Sequence, residues 1–183
     1  ADINGDGKPE VLSGSYDLTA VSGTDGTLAW RAPTGSRVWP GEAVANLTGD
    51  GSSEIIVGRS GGQVTVYNAT GGVVWTATAF SNGEIRSLAV EDIDRDGQFE
   101  IIVGKAGSGA TKQVNVLLAN GSVKPGWPAR RDGEVGYGWG MYNQNLAVAD
   151  LAGDGRKEII GPTDTHYITA LDSDGNQLSA NAI

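Results

Sequence analysis

The stretch "DIDRDGQFE" at residues 92–100, followed directly by "IIVG" at 101–104, decides how this chain is read. Four carboxylates, Asp92, Asp94, Asp96 and Glu100, fall within nine residues and run into a short apolar segment. Like charges that close repel. They are tolerated when solvated, paired or arranged about a cation. The stretch recurs as "DINGDGKPE" at 2–10, "NLTGDGSSE" at 46–54 and "DLAGDGRKE" at 150–158. The anchors Asp2, Asn46, Asp92 and Asp150 are spaced by 44, 46 and 58 residues. A period of that size marks a repeat architecture.

Each acidic loop opens onto an apolar run: "VLSG" at 11–14, "IIVG" at 55–58, "IIVG" at 101–104 and "IIGP" at 159–162. Short Val, Ile and Leu runs closed by Gly or Pro read as buried strands. A second strand-like segment follows in every unit, at 18–21, 64–67, 114–118 and 167–171. Next comes a turn with Gly, at 24–26, 69–71, 119–121 and 173–175, of the kind that joins hairpin strands. A last short strand ends in Trp30, Trp75 and Trp127, and the fourth unit has Leu178-Ser179 instead. These tryptophans read as packing between units. Another strand stands before the anchors, at 42–45, 88–91 and 146–149. For the first anchor its match is the C-terminal "ANAI", since joining Ile183 to Ala1 gives "NAIADINGDG" beside "LAVADLAGDG" at 146–155. The sequence therefore predicts four four-stranded antiparallel units, about 1–41, 42–87, 88–145 and 146–183, in one repeat domain. Residues 180–183 are expected to complete the first unit, a circular permutation by one strand. The expected fold is an all-β, propeller-like array, either closed on itself or part of a larger propeller or tandem array.

The 183 residues carry a net charge of −9 and no Cys. Twelve of the 22 acidic residues lie in the four loops, so most of the acid belongs to them. This balance argues against nucleic acid or an anionic membrane surface as partner. No segment approaches the length of apolar chain needed to span a bilayer. The absence of an initiator Met and of a signal peptide points to a processed or partial chain.

The "DxxxDGxxE" loops, the "IIVG" that follows them and the "GWP" ending of the segment at 120–128 resemble FG-GAP/VCBS-type repeats. These are the blades of integrin-α-like and many bacterial extracellular β-propellers. The resemblance covers essentially the whole chain. It implies four-stranded blades and a loop between the first two strands that often binds Ca²⁺.

The chemistry of the loops agrees. Ca²⁺ takes six to eight oxygens, Gly at position 6 permits a sharp bend, and the position-7 carbonyl can join the ligands. Candidate ligands are Asp2, Asn4, Asp6, Lys8 and Glu10 in the first loop, and Asn46, Thr48, Asp50, Ser52 and Glu54 in the second. The third offers Asp92, Asp94, Asp96, Gln98 and Glu100, and the fourth Asp150, Asp154, Arg156 and Glu158. Lys8, Ser52, Gln98 and Arg156 enter through their carbonyls. Position 9 is Glu where the family more often has Asp, so Glu100 either completes or braces the third site. The third loop has the most carboxylates and is expected to bind best. The fourth has Ala152 where a ligand is needed. The alternative for every loop is a polar Asx-type turn without metal.

The insertion "PARRDGEVGYGWGMYNQN" at 128–145 alternates large residues with Gly. Tyr137, Trp139 and Tyr142 are candidates for a sugar-stacking surface, or for an edge strand packed on a neighbouring blade. His166, the only His, stands with Asp164 in a polar turn and finds no nucleophile to serve. "NLT", "NAT" and "NGS" at 46–48, 68–70 and 120–122 fit the glycosylation pattern but suit turns equally well. The expectation is an extracellular or cell-surface, Ca²⁺-stabilised, non-catalytic domain for binding or assembly. Its partners would be other protein chains, head to tail, or an extracellular glycan. The alternatives are the propeller portion of a polysaccharide lyase or hydrolase, and a carbohydrate-binding lectin.

Overall fold

Ile55, Ile56 and Val57 are all fully buried, although successive residues of a strand point to opposite faces. A strand dry on both faces needs a sheet on either side of it. The computed structural model describes residues 1–106, 113–127, 146–163 and 167–182, and it supplies those sheets.

The described residues form four antiparallel sheets in chain order. The first holds β1 (Glu10–Gly14), β2 (Asp17–Ser22) and β3 (Leu28–Pro33). The second holds β4 (Ala43–Ala45), β5 (Glu54–Arg59), β6 (Gln63–Tyr67) and β7 (Val73–Thr78). The third holds β8 (Glu84–Glu91), β9 (Glu100–Ala106) and β10 (Val114–Leu117), and an isolated bridge from Leu117 to Val123 marks its fourth position. The fourth holds β11 (Ala147–Ala149), β12 (Glu158–Thr163), β13 (Tyr167–Leu171) and β14 (Gln177–Ala182). Every strand pairs with its sequence neighbour, so each sheet is a meander.

Three apolar clusters join successive sheets. Leu18, Ala20 and Val38 meet Ile55, Val57 and Tyr67 between the first and second. Ile56, Val64 and Val66 meet Ile101, Val103 and Leu117 between the second and third. Ile102, Val114 and Val116 meet Ile159 and Leu171 between the third and fourth. Alternate residues of one strand thus serve the preceding and the following sheet, which is the blade-on-blade packing of a propeller. No cluster among the described residues joins the fourth sheet to the first, so among those residues the four sheets form an open arc.

The recurring tryptophans lock this stacking. Trp30 Nε1 donates to the Ala69 carbonyl at 2.8 Å, Trp75 Nε1 to Ala119 at 3.1 Å, and Trp127 Nε1 to Ser173 at 3.1 Å. In each case the acceptor is the turn between the third and fourth strand positions of the next sheet. Gly71 and Gly121 stand in two of these turns at positive φ (83° and 84°), directly under the indole rings. A Cβ there would meet Trp30 at 2.7 Å and Trp75 at 3.1 Å.

One expectation is corrected. Ala180, Asn181 and Ala182 do not complete the first sheet but continue β14 alongside β13, opposite Thr169, Ile168 and Tyr167. The hairpin partner lies a few residues away in sequence, whereas the first sheet lies at the other end of the arc. Pairing locally satisfies the backbone groups with a far shorter loop to close. In the first sheet Ala1 alone takes the innermost place, exchanging backbone bonds with Glu10 at 2.7 and 3.1 Å. Residue 183 lies outside the described residues, and its expected burial with it.

Candidate functional site

The four acidic loops lie between the first two strand positions of each sheet, at the end that also carries the turns receiving the tryptophans. Each loop is folded about its own first residue. Asp2 accepts the Gly5 and Gly7 N–H groups at 2.7 and 2.9 Å, and Asp92 those of Arg95 and Gly97 at 2.8 and 3.0 Å. Asp150 accepts from Gly153 and Gly155, and Asn46 from Gly49. The position-5 carboxylates Asp6, Asp50, Asp96 and Asp154 accept the N–H of Lys8, Ser52, Gln98 and Arg156, each at 2.8 Å. These are Asx turns.

The glutamates at position 9 turn inward. Glu10, Glu54, Glu100 and Glu158 are all buried. Their Oε2 atoms accept the N–H of Ile3, Leu47, Ile93 and Leu151 at 3.0, 2.8, 3.0 and 2.6 Å. Each glutamate therefore straps the entry of its loop to the strand that leaves it. Of the two roles expected for Glu100, bracing is the one this geometry displays.

The third loop brings together Asp92, Asp94 and Glu100, with one oxygen of each lying within 4.8 Å of the others. Asp96 stands apart, bonded to Gln98. The cation among these groups is a side chain. Lys124 Nζ lies 2.5 Å from Asp94 Oδ2 and 3.1 Å from Glu100 Oε1, and Lys124 is only 8% exposed. Burial pushes the Glu100 carboxyl above its ordinary range, against the pull of the Ile93 N–H and Lys124. Asp94 feels the same burial, but the hydrogen bond and charge of Lys124 outweigh it and hold that carboxyl low. The two carboxylates differ because Glu100 is fully enclosed while part of the Asp94 side chain reaches solvent. Burial likewise pulls Lys124 down, and its two carboxylate partners more than compensate. Sequence reading missed Lys124. The available signal was a lone Lys in the fourth strand position, where the other units carry Ala29, Val74 and Leu178.

Calcium, which the family resemblance implies, meets different conditions at different loops. At the third, the ammonium already stands between two of the three grouped carboxylates, and the fit is poor. At the first, Asp2, Asp6 and the Asn4 amide present oxygen donors on an exposed loop, and they are compatible with a hard cation. The second loop offers Asp50 and the fourth Asp150 and Asp154 in the same exposed manner.

One further feature flanks the loops and another lies away from them. A cleft of about 510 Å³ runs between the second and third sheets, lined by Leu47, Trp75, Asp96, Phe99 and Asn120 among others. At the opposite end, Trp39 is sandwiched between Arg37 and Arg86, whose guanidinium carbons lie 3.7 and 3.5 Å from the ring centre. Tyr137, Trp139 and Tyr142 lie outside the described residues, as does His166. The asparagines of two glycosylation patterns serve turns: Asn68 accepts from Thr70 and Gly72, and Asn120 from Ser122.

Among curated proteins none matches the chain. Solved structures match it in fold. BamB from Moraxella catarrhalis is 15% identical, with a TM-score of 0.58 over 94% of this chain and 45% of that one. BBS1N in complex with ARL6DN, soaked with lead, gives 11% identity and a TM-score of 0.69 over 100% of this chain and 55% of that one. The mercury-soaked crystal of the same complex gives 12%, 0.66, 100% and 52%. The chain thus spans about half the length of these structures. A family model for the FG-GAP-like repeat matches residues 46–103. That segment runs from the second acidic loop into β9, and it identifies this part of the chain as an FG-GAP-like repeat within a β-propeller-like fold.

Proposed function

We propose that this chain is a non-catalytic repeat domain that works by assembly, with the fourth sheet of one copy packing on the first sheet of the next. The observation that carries this reading is the exposure of residues at core positions on the two outer faces of the arc. Val11 occupies the register of Ile55, Ile101 and Ile159, which face the preceding sheet and are 0–1% exposed, yet Val11 is 57% exposed. Ile168 occupies the register of Leu18, Val64 and Val114, which face the following sheet at 0–1%, yet Ile168 is 41% exposed. Each face is built like an inter-sheet face, and no described sheet packs on it. The contact is heterologous, so it closes into a ring if the rotation permits.

The same reading places Ca²⁺ at the first loop, held by Asp2, Asn4 and Asp6 with the Lys8 carbonyl. Extracellular calcium modules fill at on the order of 10⁻⁴–10⁻³ M calcium, and an exposed oxygen site of this kind suits a domain outside the cell. Multi-angle light scattering over a range of concentrations tests the assembly. A dimeric mass that Val11→Asp or Ile168→Asp reduces to the monomer, at unchanged thermal stability of the monomer, is the expected result. A monomer at every concentration refutes it.

A further inference from the structure

We infer that the third loop, the most acidic of the four, takes no calcium, because Lys124 is its built-in cation. The comparison of the loops carries this. Every position-9 glutamate has its Oε2 tied to backbone, and in the first three loops the Oε1 finds a side-chain donor. In the first loop that donor is Asn4 Nδ2, at 3.2 Å from Glu10. In the second it is Thr48 Oγ1, at 3.5 Å from Glu54. Both donors sit at position 3 of their own loop. In the third loop position 3 is Asp94, which cannot donate and adds a second negative charge beside Glu100.

A donor must then come from elsewhere, and it must be positive. Lys124 meets both needs, binding Asp94 Oδ2 and Glu100 Oε1 at once. Its place is set by the sheet: Val123 bridges to Leu117, the Lys124 N–H bonds to the Val116 carbonyl, and the Lys124 carbonyl accepts from Trp127. Ala29, Val74 and Leu178 hold the same place in the other sheets. The chain thus carries a lysine at this place only in the sheet whose loop has an acid at position 3. A divalent ion between Asp94 and Glu100 would stand in contact with a buried ammonium and would have to expel it. Asp94 Oδ1 is the oxygen of the three-carboxylate group left buried without a partner. It marks where an ion would bind if the ammonium were removed.

Calcium titration of the full chain by calorimetry, with thermal melts in parallel, tests this. Asp94→Asn is expected to leave the calcium stoichiometry and the calcium-induced rise in melting temperature as in the unsubstituted chain. Lys124→Met, which leaves the carboxylates without their cation, is expected to bind one calcium more and to gain a larger calcium-induced rise. If Lys124→Met is unfolded without metal, its refolding on addition of calcium with one ion more bound than the unsubstituted chain gives the same answer. Loss of a bound calcium in Asp94→Asn overturns the inference, and so does a Lys124→Met chain whose calcium response is unchanged or that calcium fails to refold. The first-loop proposal is scored separately. An unsubstituted chain that binds no calcium refutes that proposal, while a Lys124→Met chain that then binds one still supports this inference.

Discussion

Glu54→Ala isolates the role of the buried glutamates. Glu54 is 4% exposed, and its Oε2 accepts the N–H groups of Leu47 and Thr48 at 2.8 and 3.3 Å. Truncation leaves the Leu47 N–H buried without a partner, at a cost of about 1–3 kcal/mol, and removes a hydrogen bond to a charged acceptor of similar worth. These are two views of one loss, so the expected destabilisation is about 3 kcal/mol. For a domain of this size about 2–4 °C of melting temperature follow each kcal/mol, giving a fall of about 6–12 °C. Glu54→Gln keeps an oxygen for the Leu47 N–H and lets the amide nitrogen face the Thr48 hydroxyl, so about 1 kcal/mol is expected there. Differential scanning calorimetry is run on both variants, once with a chelator and once with calcium. If Glu54 is a strut, the fall is the same in both buffers. A melting temperature within about 1 °C of the parent, or a loss seen only with calcium, refutes the strut and makes Glu54 a metal ligand.

Three further outcomes are expected. Trp75→Phe removes the indole N–H that reaches the Ala119 carbonyl while keeping an aromatic ring, and should cost about 1 kcal/mol plus a smaller packing loss, read by urea unfolding. Gly71→Ala places a methyl against the Trp30 ring at a positive φ, and should destabilise by about 1–3 kcal/mol, whereas Gly26→Ala, with the same sign of φ and nothing near its Cβ, should cost only the backbone strain. The pH dependence follows from the ion group around Lys124. Its pKa is raised on folding, so its contribution is complete below the ordinary lysine value of about 10.4 and is lost as pH rises through the higher folded value. Asp94 is lowered, so its contribution is present above about 3.9 and is lost as pH falls through its folded value, while the raised Glu100 works in the opposite sense. Melting curves against pH should therefore show an alkaline decline in the parent that Lys124→Met flattens.

The repeat, the strands and the loops were legible in the sequence because each is a local matter. "IIVG" after "DGQFE" has the apolar run of a strand buried on both faces, and β5 and β9 are such strands. The recurrence of Trp30, Trp75 and Trp127 near the end of three units was enough to read inter-sheet packing, and their indole bonds cross between sheets as expected. Composition and spacing also concentrate the acid in four loops and demand something to balance it. They do not say what balances it. Asp94 and Lys124 are 30 residues apart in sequence, and only the pairing of β10 with β9, and of Val123 and Lys124 with β10, sets the ammonium beside the carboxylates. The inward turn of the glutamates is likewise tertiary, because a Glu before a strand reads equally as ligand or strut until the buried N–H it receives is placed. The C-terminal strand shows the same limit. "NAIADINGDG" matches its counterpart residue by residue, but identity of pattern does not choose a partner, and the nearby edge of β13 took residues 180–182 before the distant first sheet could.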